Sequence, residues 1–352
     1  MQIKAPNQSV DALGVIAIYP RRRSKRDPFL GNLSNSAIEA GWRVRNWIFA
    51  GLIGARATLL VLNWPENLWS DSAGGGVQVR FLALKRTTFL WIVRRARSRG
   101  TVVVLIAHNA YPHGSVEQDS FWSTSAKELV GELDGVCHFH EPSSQYFSKL
   151  MPDLVHRKTQ GFPIASVSAE LGELPLSSGP RTLLILGANQ RRKNLQSFLS
   201  RDFAVPDTTI LVSGFSSRAE CARRLGCPES WLNPAIFWLG HRVPDTLLGE
   251  IFARGTVVLL NQSGQLNSGV LWLAVANGVP VIAPRSEVHR HIQDEVGRYQ
   301  LRLFTPPLTP KTLTELLARG HTVLTPNLEL DHSFSSLVDT LTSFASSSIK
   351  SN

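Results

Sequence analysis

Residues 256–284, TVVLLNQSGQLNSGVLWLAVANGVPVIAP, constrain the fold more than any other stretch of the chain. An apolar run at 256–260 stops at a polar loop, 261–267. A helical pattern then opens at Ser268 and Gly269 and closes at Asn277 and Gly278, and a second apolar run, 279–283, follows at once. Strand, small-residue turn, helix and strand in that order make a parallel αβ unit. A helix that opens directly after a buried strand presents backbone N–H groups at the positive end of its dipole. That suits an anion such as the diphosphate of a nucleotide or nucleotide-sugar. An ordinary αβ unit whose glycines serve only its turns reads the same way, so this window alone does not choose.

The same alternation runs along the whole chain. Apolar runs predict strands near 15–19, 43–47, 58–63, 101–107, 135–139 and 155–160, with helical patterns near 32–40, 78–97, 123–133 and 143–150. Residues 165–180, ASVSAELGELPLSSGP, break the rhythm with Ser, Gly and Pro and read as a connection between domains. A second series follows, with strands near 182–186, 209–212, 236–239, 256–260 and 279–283, and helices near 194–199, 217–225, 244–253, 268–277 and 311–319. Apolar residues at Phe334, Leu337, Leu341 and Phe344 predict a last helix. The expected organisation is a basic first domain, 1–165; a linker, 166–180; a second domain, 181–330; and a C-terminal helix, 331–352, that could pack back on the first domain. Both domains are expected to be doubly wound α/β, Rossmann-like and facing a cleft, with ligands at the carboxyl ends of their strands.

With 352 residues, 43% of them hydrophobic and 18% charged, the chain has enough apolar material for two cores and is not a disordered protein. Cys137, Cys221 and Cys227 have no metal-type spacing and cannot build a disulfide framework, which predicts a reducing compartment. The N-terminus MQIKAPNQSV lacks an apolar signal core and no run reaches the length of a membrane span, so a cytoplasmic protein is expected. The net charge of +10 is uneven: residues 1–100 carry 16 Lys and Arg against 5 Asp and Glu. An anionic partner for this half is the implication: nucleic acid, acidic lipid or a phosphorylated substrate. A solvated basic face would give the same count.

Four pieces of the second half, in order, resemble the donor-binding domain of GT-B fold glycosyltransferases. They are LLILGANQRRKNL (183–195), ILVSGF (210–215), FWLGHRVPDTLLGEIFARGTVVLL (237–260) and the window at 256–284. The first half is similar to bacterial exopolysaccharide glycosyltransferases of the β-mannosyltransferase kind, through LLVLNWPENLW (59–69) and VVVLIAHNAYPHG (102–114). The resemblance implies a nucleotide-sugar donor as substrate rather than a bound cofactor, and a saccharide acceptor, lipid-linked in such enzymes. It also implies a place in the cytoplasm or at the inner membrane face. A mannosyl donor, GDP-mannose, is the family-level expectation. Many retaining members carry two glutamates eight positions apart. Here Gln265 and Leu273 stand at those positions, and neither holds a charge, which argues against that subgroup and leaves an inverting transferase or a ribose contact made by other groups.

An inverting transfer needs a base for the acceptor hydroxyl and positive charge or backbone donors for the departing nucleotide diphosphate. The base candidates are His108, at the end of a predicted strand, and His113, Glu117 and Asp119 on the following loop. Glu141, after the strand that carries His138 and His140, is a further one. Gly187, Arg191, Arg192 and Lys193 follow one strand of the second half, and Gly214 follows the next. Three cations at a helix start oppose its dipole, which favours a bound anion there. His241, Arg242, Gln265, Asn267, Ser268 and Gly269 complete the donor set. Arg21, Arg22 and Arg23, with Trp64, Arg94 and Arg95, are candidates for the acceptor or an anionic membrane. No metal constellation is visible, and His138-x-His140 has no third ligand nearby. Two rivals remain: a nucleotide-sugar 2-epimerase on the same fold, and a basic, non-catalytic nucleic-acid-binding protein. No nucleic-acid motif supports the latter, so nucleic acid is not the expected partner.

Overall fold

The computed structural model describes residues 13–20, 28–48, 58–63, 65–68, 76–107, 122, 126–159, 181–187, 196–203, 205–253, 255–261, 268–318 and 334–349. The chain divides into two compact units, Met1–Ala165 with Leu330–Asn352, and Ser166–Glu329.

The first unit holds six parallel strands: β1 (Gly14–Tyr19), β2 (Trp42–Asn46), β3 (Leu59–Asn63), β4 (Val102–Ile106), β5 (Gly135–His138) and β6 (Val155–Lys158), in the order β2-β1-β3-β4-β5-β6. Every residue of β3 and β4 is buried, because a parallel sheet is covered on both faces. The helices are α1 (Pro28–Glu39), α2 (Gly76–Arg97), the one-turn α3 (Lys127–Val130) and α4 (Glu141–Leu150). Leu30, Leu33 and Ala37 form the buried stripe of α1, and Phe89, Val93 and Ala96 that of α2.

The second unit holds β7 (Arg181–Ile185), β8 (Thr208–Val212), β9 (Ile236–Trp238), β10 (Thr256–Leu259), β11 (Val281–Pro284) and β12 (Leu301–Phe304), all parallel, in the order β12-β11-β10-β7-β8-β9. Counted from β9, that is third, second, first, fourth, fifth, sixth, the dinucleotide-fold order. Its helices are α5 (Gln196–Leu199), α6 (Arg218–Leu225), α7 (Asp245–Ala253), α8 (Gly269–Ala276), α9 (Glu287–Val296) and α10 (Pro310–Leu317). Ser217, Ser268, Ser286 and Thr309 each accept a backbone N–H of the helix they precede, as N-caps do. The core gathers Leu183, Ile185, Val212, Val257, Leu259, Ile282, Phe304 and Leu313.

The periodic reading left 284–310 unassigned, and α9 and β12 fill it. Strand β12 was hard to see because Arg302 interrupts its four residues. The guanidinium is nonetheless buried, donating to the carbonyls of Tyr299 at 3.2 Å and Leu316 at 2.6 Å.

The last helix, α11 (Phe334–Ile349), packs in the first unit against α1, β4 and β5. Leu337, Val338, Leu341 and Phe344 are buried, Phe334 meets the ring of Phe29 at 5.2 Å, and the indole N–H of Trp42 donates to Thr342 Oγ1 at 3.0 Å. The Phe344 ring lies where a Cβ on Gly135 would stand, so glycine is required there by space rather than by backbone angle.

Candidate functional site

In a doubly wound sheet the ligand crevice lies at the carboxyl ends of the strands, where the strand order reverses. In the second unit that point is between β7 and β10. Gly187 sits just beyond β7 with φ 67°, a left-handed conformation open to glycine. Its N–H donates to Oγ of Ser213, a buried residue just past β8, at 2.9 Å. On the β10 side, Ser268 is the N-cap of α8 and accepts the N–H of Leu271 at 3.3 Å. That leaves the N–H groups of Gly269 and Val270 among those a helix cannot satisfy internally. Space is open on the side of Gly269 where a Cβ would stand. Gly187, Ser268 and Gly269 are therefore brought to one edge of one sheet.

The neighbouring strand ends are clipped together. Gly214 (φ 112°) donates to the carbonyl of Gly240 (φ 84°) at 2.8 Å, and Phe215 bridges Gly240. His241 Nδ1 lies 3.2 Å from the carbonyl of Gly214, and its Nε2 3.2 Å from Oε2 of Glu220. Glu220 also accepts the N–H of Ser216 at 2.7 Å, the Ser216 hydroxyl at 2.8 Å and the Arg224 guanidinium at 2.8 Å. The Ser216 N–H and hydroxyl hold the Glu220 carboxyl down at about 2, helped by the charges of His241 and Arg224. Arg242 is exposed beside this group. Ser213, Ser216 and Glu220 were not singled out from the sequence, although Ser217-x-x-Glu220 carried a visible capping signal.

In the first unit the order reverses between β1 and β3. Tyr19 ends β1, Asn63 ends β3, and Ala107 follows β4. The segments that begin there contain Arg21, Arg22, Arg23, Trp64, His108, His113, Glu117 and Asp119, all outside the described residues. So are Arg191, Arg192, Lys193, Gln265 and Asn267 of the second unit. Glu141 opens α4 directly after β5; its carboxylate is half-exposed, 3.9 Å from Lys158 Nζ and 3.5 Å from the Gln145 amide.

His138 and His140 are buried. His156 donates from Nε2 to the carbonyl of Met151 at 2.8 Å, so its Nδ1 accepts from His138 Nε2 at 2.8 Å. Burial, with a contribution from His156, pushes His138 down to about 3, and the ring acts as a neutral core group. The second basic cluster serves its own unit in part. Arg94 bridges Glu128 at 3.0 Å and Glu132 at 2.9 Å, Arg97 pairs with Asp134 at 3.3 Å, and Arg95 lies over the Trp91 ring at 5.5 Å. These cations also suit the negative end of α2. Among the described residues no group of three or more His, Cys, Asp or Glu could hold a metal, and no helix is long and apolar enough to cross a membrane.

No family model matches the sequence, and no curated protein matches it. Solved structures do match. A sucrose-phosphate synthase from Thermosynechococcus elongatus superposes with a TM-score of 0.55 at 14% identity, covering 96% of this chain and 94% of that one. An α,α-trehalose 6-phosphate synthase from Burkholderia multivorans gives 0.54 at 12%, with 96% and 98% covered. A spinosyn forosaminyltransferase gives 0.52 at 14%, with 95% and 99% covered. The fold is GT-B. At these identities the likeness is one of fold, and it extends over nearly the whole of each chain.

Proposed function

We propose that the protein is a glycosyltransferase that moves a hexosyl group from a nucleotide-sugar to a saccharide acceptor. One observation carries this reading. Gly187 and the capped N-terminus of α8 flank the point where the second sheet's order reverses, and a diphosphate can be held there by the N–H groups of Gly269 and Val270. The solved structures named for sucrose-phosphate and trehalose 6-phosphate synthesis share the fold and support the class.

In this reading the donor's diphosphate lies against Gly269 and Ser268, with Arg191, Arg192 and Lys193 neutralising the charge that develops as it leaves. A base near the carboxyl end of β4 takes the acceptor's proton as its oxygen attacks the anomeric carbon. His108 is the first candidate, followed by His113, Glu117 and Asp119, with Glu141 after β5. Inversion is favoured by Gln265 and Leu273, since neither supplies the carboxylate that a retaining glutamate pair would. A mannosyl donor, a lipid-linked acceptor and an anionic inner-membrane surface for Arg21, Arg22 and Arg23 follow from the sequence resemblance and the basic first hundred residues.

The test is thermal unfolding with a panel of nucleotide diphosphates, followed by sugar transfer assays with and without acceptor. Stabilisation by one nucleotide and acceptor-dependent release of its sugar are expected. Failure of every nucleotide to stabilise the protein removes the reading, and turnover of a nucleotide-sugar without acceptor replaces it with an epimerase.

A further inference from the structure

The group around Glu220 holds more than the helix start that it caps. The start of α6 is already closed by Ser217, whose hydroxyl accepts the Glu220 N–H at 3.2 Å. The Glu220 carboxylate nevertheless reaches outside its own helix to His241, on the turn after β9. Its side chain is only 10% exposed, whereas that of His241 is 54% exposed. Ser216 and Arg224 already satisfy this carboxylate at the start of α6, so its added hold on the exposed His241 ring ties that helix start to the turn after β9.

The ring itself is fully specified. Nδ1 faces the Gly214 carbonyl and Nε2 faces the Glu220 carboxylate, both acceptors. Both hydrogen bonds form together only on the doubly protonated ring. The ring so placed joins the turn after β8 to the turn after β9, on the same sheet edge as Gly187 and Ser268.

We propose that Glu220 is a positioning residue that acts through His241, holding the turn after β9 in the shape that receives the nucleotide of the donor. The inference rests on the donor-binding reading of the second unit. Glu220 does not touch the donor; it fixes the plane of the ring that lines the site. Arg224, on the opposite oxygen of the carboxylate, keeps that oxygen turned from His241.

The test uses the full-length protein and its Glu220→Gln, His241→Asn and double variants. Each is titrated calorimetrically with GDP, UDP, dTDP and ADP, and its donor KM and kcat are measured. Each single variant is expected to raise the nucleotide Kd and the donor KM about tenfold with kcat held within about twofold. The double variant should be no weaker than the worse single, because the two groups act as one unit. Wild-type affinity in Glu220→Gln overturns the inference and leaves the donor reading standing. So do additive losses in the double variant, or a fall in kcat at unchanged KM. A wild-type protein that binds none of the four nucleotides overturns both. If Glu220→Gln does not fold, His241→Asn decides alone, since its ring is half-exposed, and unchanged affinity there overturns the proposal.

Discussion

Two buried polar residues show how single side chains set local chemistry. His138 is held down at about 3, mainly by burial, whereas an unfolded chain's histidine titrates near about 6.5. The folded ring therefore refuses a proton that the unfolded one accepts. Its contribution to stability is complete above about pH 6.5 and is lost as pH falls toward about 3, at up to about 1.4 kcal/mol per unit. The drop in urea midpoint between about pH 7 and about pH 5 should shrink in His138→Gln. An identical drop in both proteins would show that other groups carry the acid sensitivity. Ser213 makes a simpler case. Replacing it with alanine strands the Gly187 N–H at the site edge, and a cost of about 1–3 kcal/mol is expected by thermal unfolding. Neither role shows in the linear sequence, where His138 is one of a strand pair and Ser213 one of many serines.

At the scale of elements, α8 and α11 illustrate opposite origins. Helix α8 is legible because its cap, glycines and apolar run are contiguous. Ser268→Ala should cost about 1 kcal/mol, with Ser268→Asn restoring most of it, and both can be read as unfolding midpoints. If the cap alone matters, Ser268→Asn also restores nucleotide stabilisation; if the serine hydroxyl contacts the ligand, it does not. Helix α11 was legible as a helix, from Phe334, Leu337, Leu341 and Phe344, and as a segment that could return to the first domain, but its partners there were not. Phe344 lies on Gly135, some two hundred residues back in the chain, and only the tertiary structure pairs them. Phe344→Ala should cost about 3–5 kcal/mol by opening a cavity. Gly135→Ala should also destabilise the first unit, because the new methyl meets the Phe344 ring and the Val155 carbonyl. A Gly135→Ala protein that unfolds with the wild type would mean that α11 shifts freely.

At the scale of the whole molecule, two units with separate cores should respond separately to ligand. A nucleotide at about a hundred times its Kd stabilises the unit that binds it by about 2.7 kcal/mol, which raises the melt of a unit this size by roughly 5–10 °C. The second unit's transition should move and the first unit's should not; the reverse would relocate the donor. The charge imbalance of the first hundred residues belongs to this scale too. Binding to phosphatidylglycerol vesicles but not to duplex DNA, compared at equal salt, is the expected result, and DNA binding of equal strength would favour the nucleic-acid reading.

The sequence by itself determined the alternation of strands and helices and the capped start of α8 at Ser268. Each of these is written in neighbouring residues, as period, cap and turn chemistry. The order of strands, and with it the two edges where strand order reverses, came only from the tertiary structure, because parallel pairing joins residues far apart in the chain. The same holds for the partners that define the site's edge. Glu220 finds His241, Gly187 finds Ser213 and His138 finds His156 only once the strands lie side by side.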